Sequence, residues 1–485
     1  MTPEWAKDAV FYQIFPDRFA RSNTLVKPNG LEPWDSPTTV HGYKGGDLAG
    51  VREKLDYLQD LGVTALYFCP IFQSASNHRY HTHDYFRVDP LLGGDAAFDQ
   101  LVEDVHRRGM RLVLDGVFNH SSRGFFQFND VLENGRSSAY LDWFMVNEFP
   151  PNAYDHDRPA GYAAWWGLHA LPKFNVHNPQ VRDYLLSVAE HWIRRGADGW
   201  RLDVAEEITA PGFWEEFRSR VKAINPDAYI VGEIWRMAPE WLRGERFDAT
   251  MNYPLTEAIL AFLTNGAIDR KLIENKGYNP AQPLDARSLA DRIGELLRAY
   301  PWDVSLTQLN LLDSHDTPRA LTVLDNRVDL LKLASLLMFC LPGAPCVYYG
   351  DEIGVEGGMP DYEARRPFPW DHPERWDNDL RSHYQTLIRL RKESPSLRRG
   401  GVHLLHAERD ALVFGRWYHD DRSILAVNRA DTPLTLTVPL GDLSQGVGAW
   451  QAVFGGNSGV IHSDSSLLLH LGARQGLLLK PASSG

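Results

Sequence analysis

Eight short segments rich in β-branched or aromatic residues alternate with amphipathic helical patterns over most of this chain. Such alternation is typical of a parallel α/β architecture, and eight parallel strands are the number that closes a barrel. The sequence therefore predicts an α/β fold with a (β/α)8 TIM barrel. The eight predicted strands are residues 10–15, 63–70, 111–118, 199–205, 229–235, 249–253, 309–315 and 346–351.

Two regions interrupt or follow the barrel pattern. A long irregular segment rich in aromatic residues, Asn, Gly and Pro comes after the third predicted strand, where a barrel loop overhangs the active face. Towards the C-terminus, short strand-like runs separated by turn residues predict an antiparallel β-sandwich, with strands at 412–418, 423–428, 434–438, 466–471 and 475–479. The predicted domains are a barrel of residues 1–120 and 174–398, a loop subdomain inserted after strand 3 at 121–173, and a C-terminal β-sandwich at 399–485.

Charge and composition exclude several classes of protein. The chain has 50 Lys and Arg residues against 63 Asp and Glu residues, a net charge of −13 with no basic run, which is unsuited to nucleic acids. No window approaches the ~18 apolar residues of a membrane span, and the N-terminus lacks a signal-peptide pattern. We therefore expect a cytoplasmic protein without nucleic-acid or membrane partners, as a monomer or homodimer. Its 3 cysteines lack metal-type spacing and are expected to be buried thiols.

Aromatic residues are frequent and many lie in loops. Phe, Trp and Tyr make up 12% of the chain, and several fall in irregular stretches such as residues 162–166. A sugar ring stacks on an exposed aromatic face because one face of the sugar is apolar while its edge is polar. The alternative is ordinary burial in a large core.

Carboxylates recur at the ends of the predicted strands. Asp115, Asp203, Glu233 and Asp316 each follow or end a different apolar strand. Charged groups are costly to bury without partners, and barrel enzymes keep their catalytic groups at the carboxyl ends of the strands. The set therefore predicts a catalytic carboxylate cluster.

Two of these acids have different surroundings. Arg201 and Asp203 lie two residues apart on one strand and share a face, so the arginine is expected to hold Asp203 ionised, as a nucleophile requires. Glu233 lies among apolar residues on the next strand, which favours a protonated general acid. One ionised and one protonated carboxyl group cleave a glycosidic bond, with retention if they are about 5–5.5 Å apart.

At these residues the chain resembles the α-amylase family of glycoside hydrolases, family 13. Within it the chain is most similar to the neopullulanase, cyclomaltodextrinase and maltogenic amylase group. The matching motifs are DGVFNH at 115–120, LPKFN at 171–175, GWRLDVA at 199–205, VGEI at 231–234, LDSHD at 312–316 and GAPCVYYGDE at 343–352.

The resemblance implies a role for each matching residue. Asp203 would be the nucleophile, Glu233 the acid/base, and Asp316 the acid that stabilises the transition state. Further residues would bind the reacting glucose or support those that do. Arg201, His120 and His315 would donate hydrogen bonds to it, Tyr80 would stack on it, and Asp84 and Asp115 would brace the arrangement.

Other residues are candidates for neighbouring sugars. In the resembling group, an Asp and an Arg bind the glucose beyond the reacting one, and Asp361 and Arg365 stand at these positions. Trp165, Trp166 and Lys173 on the long loop are candidate walls of further subsites, with a loop-packing aromatic pair as the alternative.

Two features depart from the resembling group. The relatives have an N-terminal sandwich domain, whereas the first strand predicted here begins at residue 10, so we expect that domain to be absent. Relatives also bind calcium through a loop after an FPDRF motif, but Arg21 stands here where an oxygen ligand is expected. The remaining candidate ligands are Asn23, Gly45 and Asp47.

The sequence thus predicts a retaining hydrolase of α-1,4-glucosidic bonds in maltodextrins, cyclodextrins or pullulan that requires no cofactor. An α-glucan transglycosylase or a sugar isomerase with the same site is the alternative, because acceptor choice depends on the shape of the leaving-group side. A non-catalytic binding protein would have lost one of the three reacting acids, and all three are present.

Overall fold

The computed structural model describes residues 2–274, 276–445, 447, 449–456, 460–463 and 465–482. The strands are β1 (Phe11–Ile14), β2 (Ala65–Phe68), β3 (Phe72–Ser74), β4 (Thr82–Val88), β5 (Arg111–Gly116), β6 (Gly199–Leu202), β7 (Tyr229–Gly232), β8 (Ala249–Thr250), β9 (Leu309–Asn310), β10 (Ala344–Tyr348), β11 (Gly401–Glu408), β12 (Ala411–Tyr418), β13 (Asp421–Asn428), β14 (Leu434–Pro439), β15 (Trp450–Phe454), β16 (Val460–Ser463), β17 (Ser466–Leu471) and β18 (Gln475–Pro481). The α-helices are α1 (Glu4–Asp8), α2 (Pro16–Phe19), α3 (Leu48–Glu53), α4 (Leu55–Leu61), α5 (Gly94–Arg107), α6 (Phe126–Asn134), α7 (Pro179–Arg194), α8 (Phe213–Ile224), α9 (Tyr253–Thr264), α10 (Ala286–Ala299), α11 (Trp302–Ser305), α12 (Ala320–Val323), α13 (Val328–Cys340), α14 (Asp361–Ala364), α15 (Asn378–Glu393) and α16 (Pro395–Arg399).

Eight parallel strands form the barrel, in the order β8-β7-β6-β5-β2-β1-β10-β9. A parallel bridge between Met251 and Leu309 closes it. Each predicted strand overlaps one of these eight, and β10 begins two residues earlier than predicted, so the predicted fold class is confirmed. The strands are buried on both faces because helices cover the outside and side chains fill the inside, which explains their continuous apolar runs.

Two barrel strands have only two residues each, the largest shortfall against the predicted ranges. The segment predicted as 309–315 leaves the sheet after Asn310, and the segment predicted as 249–253 leaves it after Thr250. Tyr253 begins α9 instead, because the following proline is well suited to the first turn of a helix. His315 and Asp316 therefore lie on a loop beyond the barrel strand rather than at its end.

The inserted segment 121–173 is pinned to the barrel at both ends. It contains α6, and isolated bridges pair Val146 with Tyr162 and His120 with Lys173. Stacked and edge-on rings form its core, including the pair Phe128 and Tyr162 at 4.8 Å between centroids. The predicted division into a separate subdomain stays a prediction.

The C-terminal region is an antiparallel β-sandwich, as predicted. A five-stranded sheet has the order β11-β12-β13-β18-β15 and a three-stranded sheet the order β14-β17-β16. The sheets share a core that includes Ile424, Leu469 and Leu477. Three strands were not predicted, and two of them, β11 and β15, contain a register shift that interrupts the period-two pattern on which a strand prediction depends.

Two further expectations from the sequence concern the three cysteines and membrane-spanning helices. Cys69, Cys340 and Cys346 are free and buried, as predicted. In the part of the chain that the structure describes, no helix is both long and apolar enough to cross a membrane.

Candidate active site

Arg201 lies at the centre of the site, fully buried in β6. Its Nη1 donates to both carboxylate oxygens of Asp115 at 3.0 Å and to Asp203 Oδ1 at 3.1 Å. Its Nη2 lies 3.0 Å from Glu233 Oε2 and 4.0 Å from Asp316 Oδ2. One guanidinium group therefore lies within ion-pair distance of all four acids that the sequence analysis singled out.

Asp115 is buried and accepts hydrogen bonds from protein groups on both of its oxygens. Tyr67 and Tyr80 donate their hydroxyl groups to Oδ2 at 2.9 and 2.8 Å, in addition to the two bonds from Arg201. Burial raises the pKa of Asp115, while Arg201 and these donors act in the opposite direction. The arrangement makes Asp115 a support for Arg201 and Tyr80.

His315 is held in one tautomer by its neighbours. Gln13 Nε2 lies 2.8 Å from His315 Nδ1, so this ring nitrogen accepts when the amide donates. The proton then lies on Nε2, which is 2.5 Å from the Tyr80 hydroxyl oxygen and 3.0 Å from Asp316 Oδ2. Burial and nearby Arg365 lower the pKa of His315 well below its usual range. A neutral imidazole thus stacks on Tyr80, with ring centroids 5.3 Å apart.

Glu233 follows β7 directly and both of its oxygens accept hydrogen bonds. The backbone N–H of Val204 donates to Oε2 at 2.8 Å, and the Trp235 indole donates to Oε1 at 2.9 Å. Val204 has a φ of +37°, a conformation that costs a β-branched residue on the order of 1–3 kcal/mol. Strained backbone at this point presents the N–H of Val204 to Glu233.

The surroundings of Asp203 change the pKa of its carboxyl group. Burial and the Glu233 carboxylate raise its pKa well above the usual range, and Arg201 acts in the opposite direction. Arg201 is therefore one of several groups that set the pKa of Asp203. Because Arg201 is shared among four carboxylates, its effect on Asp203 is smaller than that of burial and Glu233 together.

Asp316 lies at the mouth of the site, beside Arg365. Arg365 Nη2 is 3.3 Å from Asp316 Oδ1 and 3.5 Å from Asp361 Oδ2, and its Nε donates to the backbone oxygen of His315 at 2.7 Å. Burial and Glu233 raise the pKa of Asp316 to about 7, against Arg365 and Arg201. Lys276 Nζ contacts Asp361 Oδ1 at 2.8 Å. An ion-pair chain thus joins Asp316 to the loop that carries Lys276.

His120 and the two tryptophans form a stack on another side of the site. The His120 ring lies 5.3 Å from Trp165, which lies 4.8 Å from Trp166. Burial lowers the pKa of His120 to about 3, and its Nε2 is buried without a protein partner. Lys173 pairs with Glu207 at 2.8 Å, close in sequence to Asp203. Trp166 is 76% exposed, so its ring is not packed into the protein core.

Asp84 is the one candidate that the structure does not bring into contact with the others, among the residues described. It lies in β4, where its Oδ1 accepts from the backbone N–H of Phe86 at 2.8 Å. The Asp84 carboxylate thus contacts the backbone of its own strand.

Comparison with known proteins identifies the family. The family model described as "Alpha amylase, catalytic domain" matches residues 13–374. The chain belongs to the α-amylase family. It is 44% identical to a cyclomaltodextrinase of Geobacillus thermopakistaniensis over 90% of this chain and 71% of that protein. It is also 44% identical to neopullulanase 2 of Thermoactinomyces vulgaris, over 85% of this chain and 67% of that protein.

A solved structure is similar over nearly the whole chain. The debranching enzyme of Nostoc punctiforme, in crystals soaked with acarbose, is 45% identical, with a TM-score of 0.90 and 99% of both chains covered. The protein is thus an α-amylase-family hydrolase, and the resemblance to the cyclomaltodextrinase, neopullulanase and maltogenic amylase group is confirmed.

The residues predicted as candidate calcium ligands either have other partners in the protein or are exposed. Asp47 is fully buried, but its Oδ1 caps α3 through Gly50 and its Oδ2 accepts from Ser22 and from Lys27 Nζ at 2.7 Å. Asn23 is exposed and Gly45 donates its N–H to Asp17. A metal ion at this place would need the Asp47 carboxylate as a ligand, and that carboxylate already pairs with the ammonium group of Lys27. Among the residues described, no group of three or more His, Cys, Asp or Glu side chains could hold a metal ion.

The sequence analysis did not predict three residues that contact the candidate active site. They are Gln13, which orients His315, Trp235, which donates to Glu233, and Lys276, which pairs with Asp361. A polar residue inside the apolar strand β1 was the available signal for Gln13. Lys276 lies on a loop whose position only the folded chain shows.

Proposed function

We propose that this protein is a retaining hydrolase of α-1,4-linked glucans such as maltodextrins, cyclodextrins or pullulan. Asp203 is the nucleophile, Glu233 the general acid and base, and Asp316 the acid that binds sugar hydroxyl groups in the transition state. The observation that carries the proposal is that the two terminal nitrogens of Arg201 contact Asp203 and Glu233 separately, at 3.1 and 3.0 Å. The shared guanidinium group holds the two carboxylates in one site, as cleavage of a glycosidic bond by two carboxyl groups requires.

The reaction needs the proton on Glu233 and the negative charge on Asp203. Burial and the Glu233 carboxylate raise the pKa of Asp203, so the two neighbouring carboxyl groups share a proton, and this proton lies on Glu233 when the glycosidic bond breaks. As the glycosidic bond breaks, positive charge develops at the anomeric carbon and stabilises an ionised Asp203 beside it. Glu233 protonates the leaving oxygen, and Asp203 forms the covalent glucosyl intermediate. Glu233 then removes a proton from the water that releases the sugar.

The neighbouring groups bind the reacting glucose. The Nε2 of His120 has no partner in the protein, and Tyr80 and His315 form a stacked pair beside Asp316. A neutral imidazole donates or accepts a hydrogen bond without adding a charge that would repel the oxocarbenium-like transition state.

Product stereochemistry tests the proposal. The protein is incubated separately with maltotriose, β-cyclodextrin and pullulan, and NMR spectra at early times resolve the anomers of the released reducing ends. We expect initial α-anomers, and the preferred substrate assigns the subgroup. Initial β-anomers would contradict a retaining mechanism with Asp203 as the nucleophile.

We also propose that no metal ion is needed at Asp47. Dialysis against EDTA is expected to leave the thermal midpoint and the activity unchanged. Lys27→Met is expected to lower the free energy of unfolding by about 3 kcal/mol, because it leaves a buried carboxylate without its cation. The control Arg21→Met removes an exposed cation and is expected to change it by less than ~0.5 kcal/mol. A fall in thermal midpoint with EDTA that calcium reverses would contradict this proposal.

Transfer to a sugar acceptor is a second candidate function, favoured by the exposed ring of Trp166, which stacks on the half-buried Trp165. The stack lies near Lys173 and Glu207, on the side of Val204 and Glu233 where the leaving group departs. An acceptor sugar held on this platform would compete with water for the glucosyl intermediate.

Trp166→Ala tests this second function. At high maltotriose concentration the ratio of longer products to maltose is expected to fall about fivefold, which corresponds to ~1 kcal/mol of lost stacking. Trp302→Ala removes a partly exposed tryptophan elsewhere and is expected to leave the ratio unchanged. If no product longer than maltotriose forms with the unmodified protein, the transfer function is wrong.

A further inference from the structure

A fully buried arginine follows the loop that carries Asp316. Arg319 is the third residue after Asp316, directly before α12, and is 0% exposed. Its Nε donates to the backbone oxygen of Ala364 at 2.9 Å, while its Nη1 donates to the backbone oxygen of Tyr349 at 2.6 Å and to Asp351 Oδ1 at 2.9 Å. One side chain therefore bonds to two separate segments, the end of α14 and the residues that follow β10. The mechanism proposed above does not use it.

Arg319 joins the two segments that meet at Asp316. Ala364, which accepts from Arg319, is next to Arg365 in the chain. Arg365 reaches back to the loop of Asp316, because its Nη2 lies 3.3 Å from Asp316 Oδ1 and its Nε donates to the backbone oxygen of His315. A closed ring of contacts thus runs from Asp316 along the chain to Arg319, across to Ala364 and Arg365, and back to Asp316.

The backbone between Asp316 and Arg319 has little freedom. Pro318 fixes its own φ, and the Thr317 hydroxyl accepts from the backbone N–H of Ser314 at 2.9 Å. Because the connecting residues are restricted in this way, a change in the position of Arg319 moves Asp316.

Two buried acids and an aromatic ring hold the Arg319 side chain and its backbone. Asp351 accepts from Arg319, and Asp313 Oδ2 accepts at 2.6 Å from the backbone N–H of Ala320, the next residue. Burial and Asp313 raise the pKa of Asp351 well above its usual range. Since two adjacent buried carboxylates repel each other, the pair shares a proton and carries one negative charge opposite Arg319. The guanidinium group also lies 3.9 Å from the centre of the Tyr348 ring.

We propose that Arg319 is a positioning residue that acts through Asp316, by fixing the loop of Asp316 against the segment that carries Arg365. This inference rests on the proposed function, in which Asp316 binds sugar hydroxyl groups in the transition state. An arginine suits this role because its planar fork places donors toward acceptors on both segments. A lysine keeps the charge but donates from a single nitrogen, so it is not expected to hold both segments at once.

Kinetics of Arg319→Lys test the positioning role. On maltotriose its kcat is expected to fall at least about thirtyfold, since a displacement of ~1 Å at a reacting group costs on the order of a hundredfold in rate. KM is expected to change by less than about threefold, because Asp316 acts mainly in the transition state.

Arg391→Lys is the matched control. Arg391 is also fully buried, and its Nη1 donates to the backbone oxygens of Phe339 and Leu397, away from both segments. Both variants are expected to lower the thermal midpoint, but Arg391→Lys is expected to keep kcat within about twofold of the unmodified protein.

A double-mutant cycle with Asp316→Asn separates positioning from a general loss of stability. If Arg319 acts through Asp316, Arg319→Lys lowers the residual kcat of Asp316→Asn by less than about threefold. A fall of the same size in both backgrounds, or an unchanged kcat for Arg319→Lys alone, would overturn the inference.

Hydrogen–deuterium exchange of the protein without substrate separates this inference from the proposed function. Backbone amides of residues 311–319 and 361–366 are expected to exchange at least about tenfold faster in Arg319→Lys, whereas Arg391→Lys is expected to leave both segments unchanged. Unchanged exchange in both segments of Arg319→Lys, with normal hydrolysis by the unmodified protein, would overturn the inference and leave the proposed function intact. Faster exchange together with no turnover of maltotriose, β-cyclodextrin or pullulan by the unmodified protein would contradict the proposed function and keep Arg319 as the group that holds the two segments.

Discussion

Asp203→Asn is expected to lower kcat on maltotriose by about four orders of magnitude or more, because an amide cannot form the covalent intermediate. The folded state should not lose stability. Burial and Glu233 raise the pKa of Asp203, so its charge is unfavourable in the folded protein above the unfolded pKa, and asparagine removes that cost. Steady-state kinetics and the thermal midpoint at pH 7 give the two readouts.

Asp84→Asn is the matched control for this variant. It removes a carboxylate that contacts its own strand and is expected to change kcat by less than about threefold. If Asp203→Asn kept more than a few per cent of the activity while Asp84→Asn lost it, Asp203 would not be the nucleophile. If both activity and thermal midpoint collapsed, Asp203 would be a structural acid.

Arg201→Met is expected to produce the largest loss of stability at the site. The buried guanidinium contacts Asp115, Asp203 and Glu233 at 3.0–3.1 Å, and removing one partner of a buried ion pair costs about 3–5 kcal/mol. We also expect kcat to fall at least about a thousandfold, since the reacting acids lose the group that positions both. Denaturant unfolding at pH 5 and pH 7 measures the first effect.

The sign of the pH dependence follows from the lost cation. Without Arg201 the pKa values of the buried aspartates rise further in the folded state, so the folded protein binds more protons than the unfolded chain. The loss of stability is therefore expected to be smaller at pH 5 than at pH 7. Arg107→Met removes an exposed cation on α5 and is expected to change stability by less than ~0.5 kcal/mol at either pH. A loss for Arg201→Met that is the same at both pH values would show that packing, and not charge, is its main role.

Local patterns predicted most of the architecture. All eight barrel strands and five strands of the sandwich were found because their apolar runs are bounded by turn residues. β11 and β15 were missed because a register shift breaks the alternation of side chains. The ends of β8 and β9 were overestimated, since an apolar run continues where hydrogen bonding to the neighbouring strand stops.

The candidate site was predicted as a set of residues but not as a network. Parallel strands bring their carboxyl ends to one edge, which is why Asp115, Asp203 and Glu233 could be grouped from sequence. The sharing of Arg201 among them could not be foreseen, nor could the burial and the Glu233 carboxylate that raise the pKa of Asp203 against it. The pairing of Lys27 with Asp47 likewise depends on how one loop folds back on another.

The sequence by itself determined the barrel, the positions of the acids and the family, because these depend on periodicity and on motifs within a few residues of each other. Only the tertiary structure decided the tautomer of His315, which Gln13 sets from 302 residues away, and the sharing of Arg201 among four carboxylates. The physical reason is that protonation and ion pairing depend on distances across the fold. Spacing along the chain does not contain those distances.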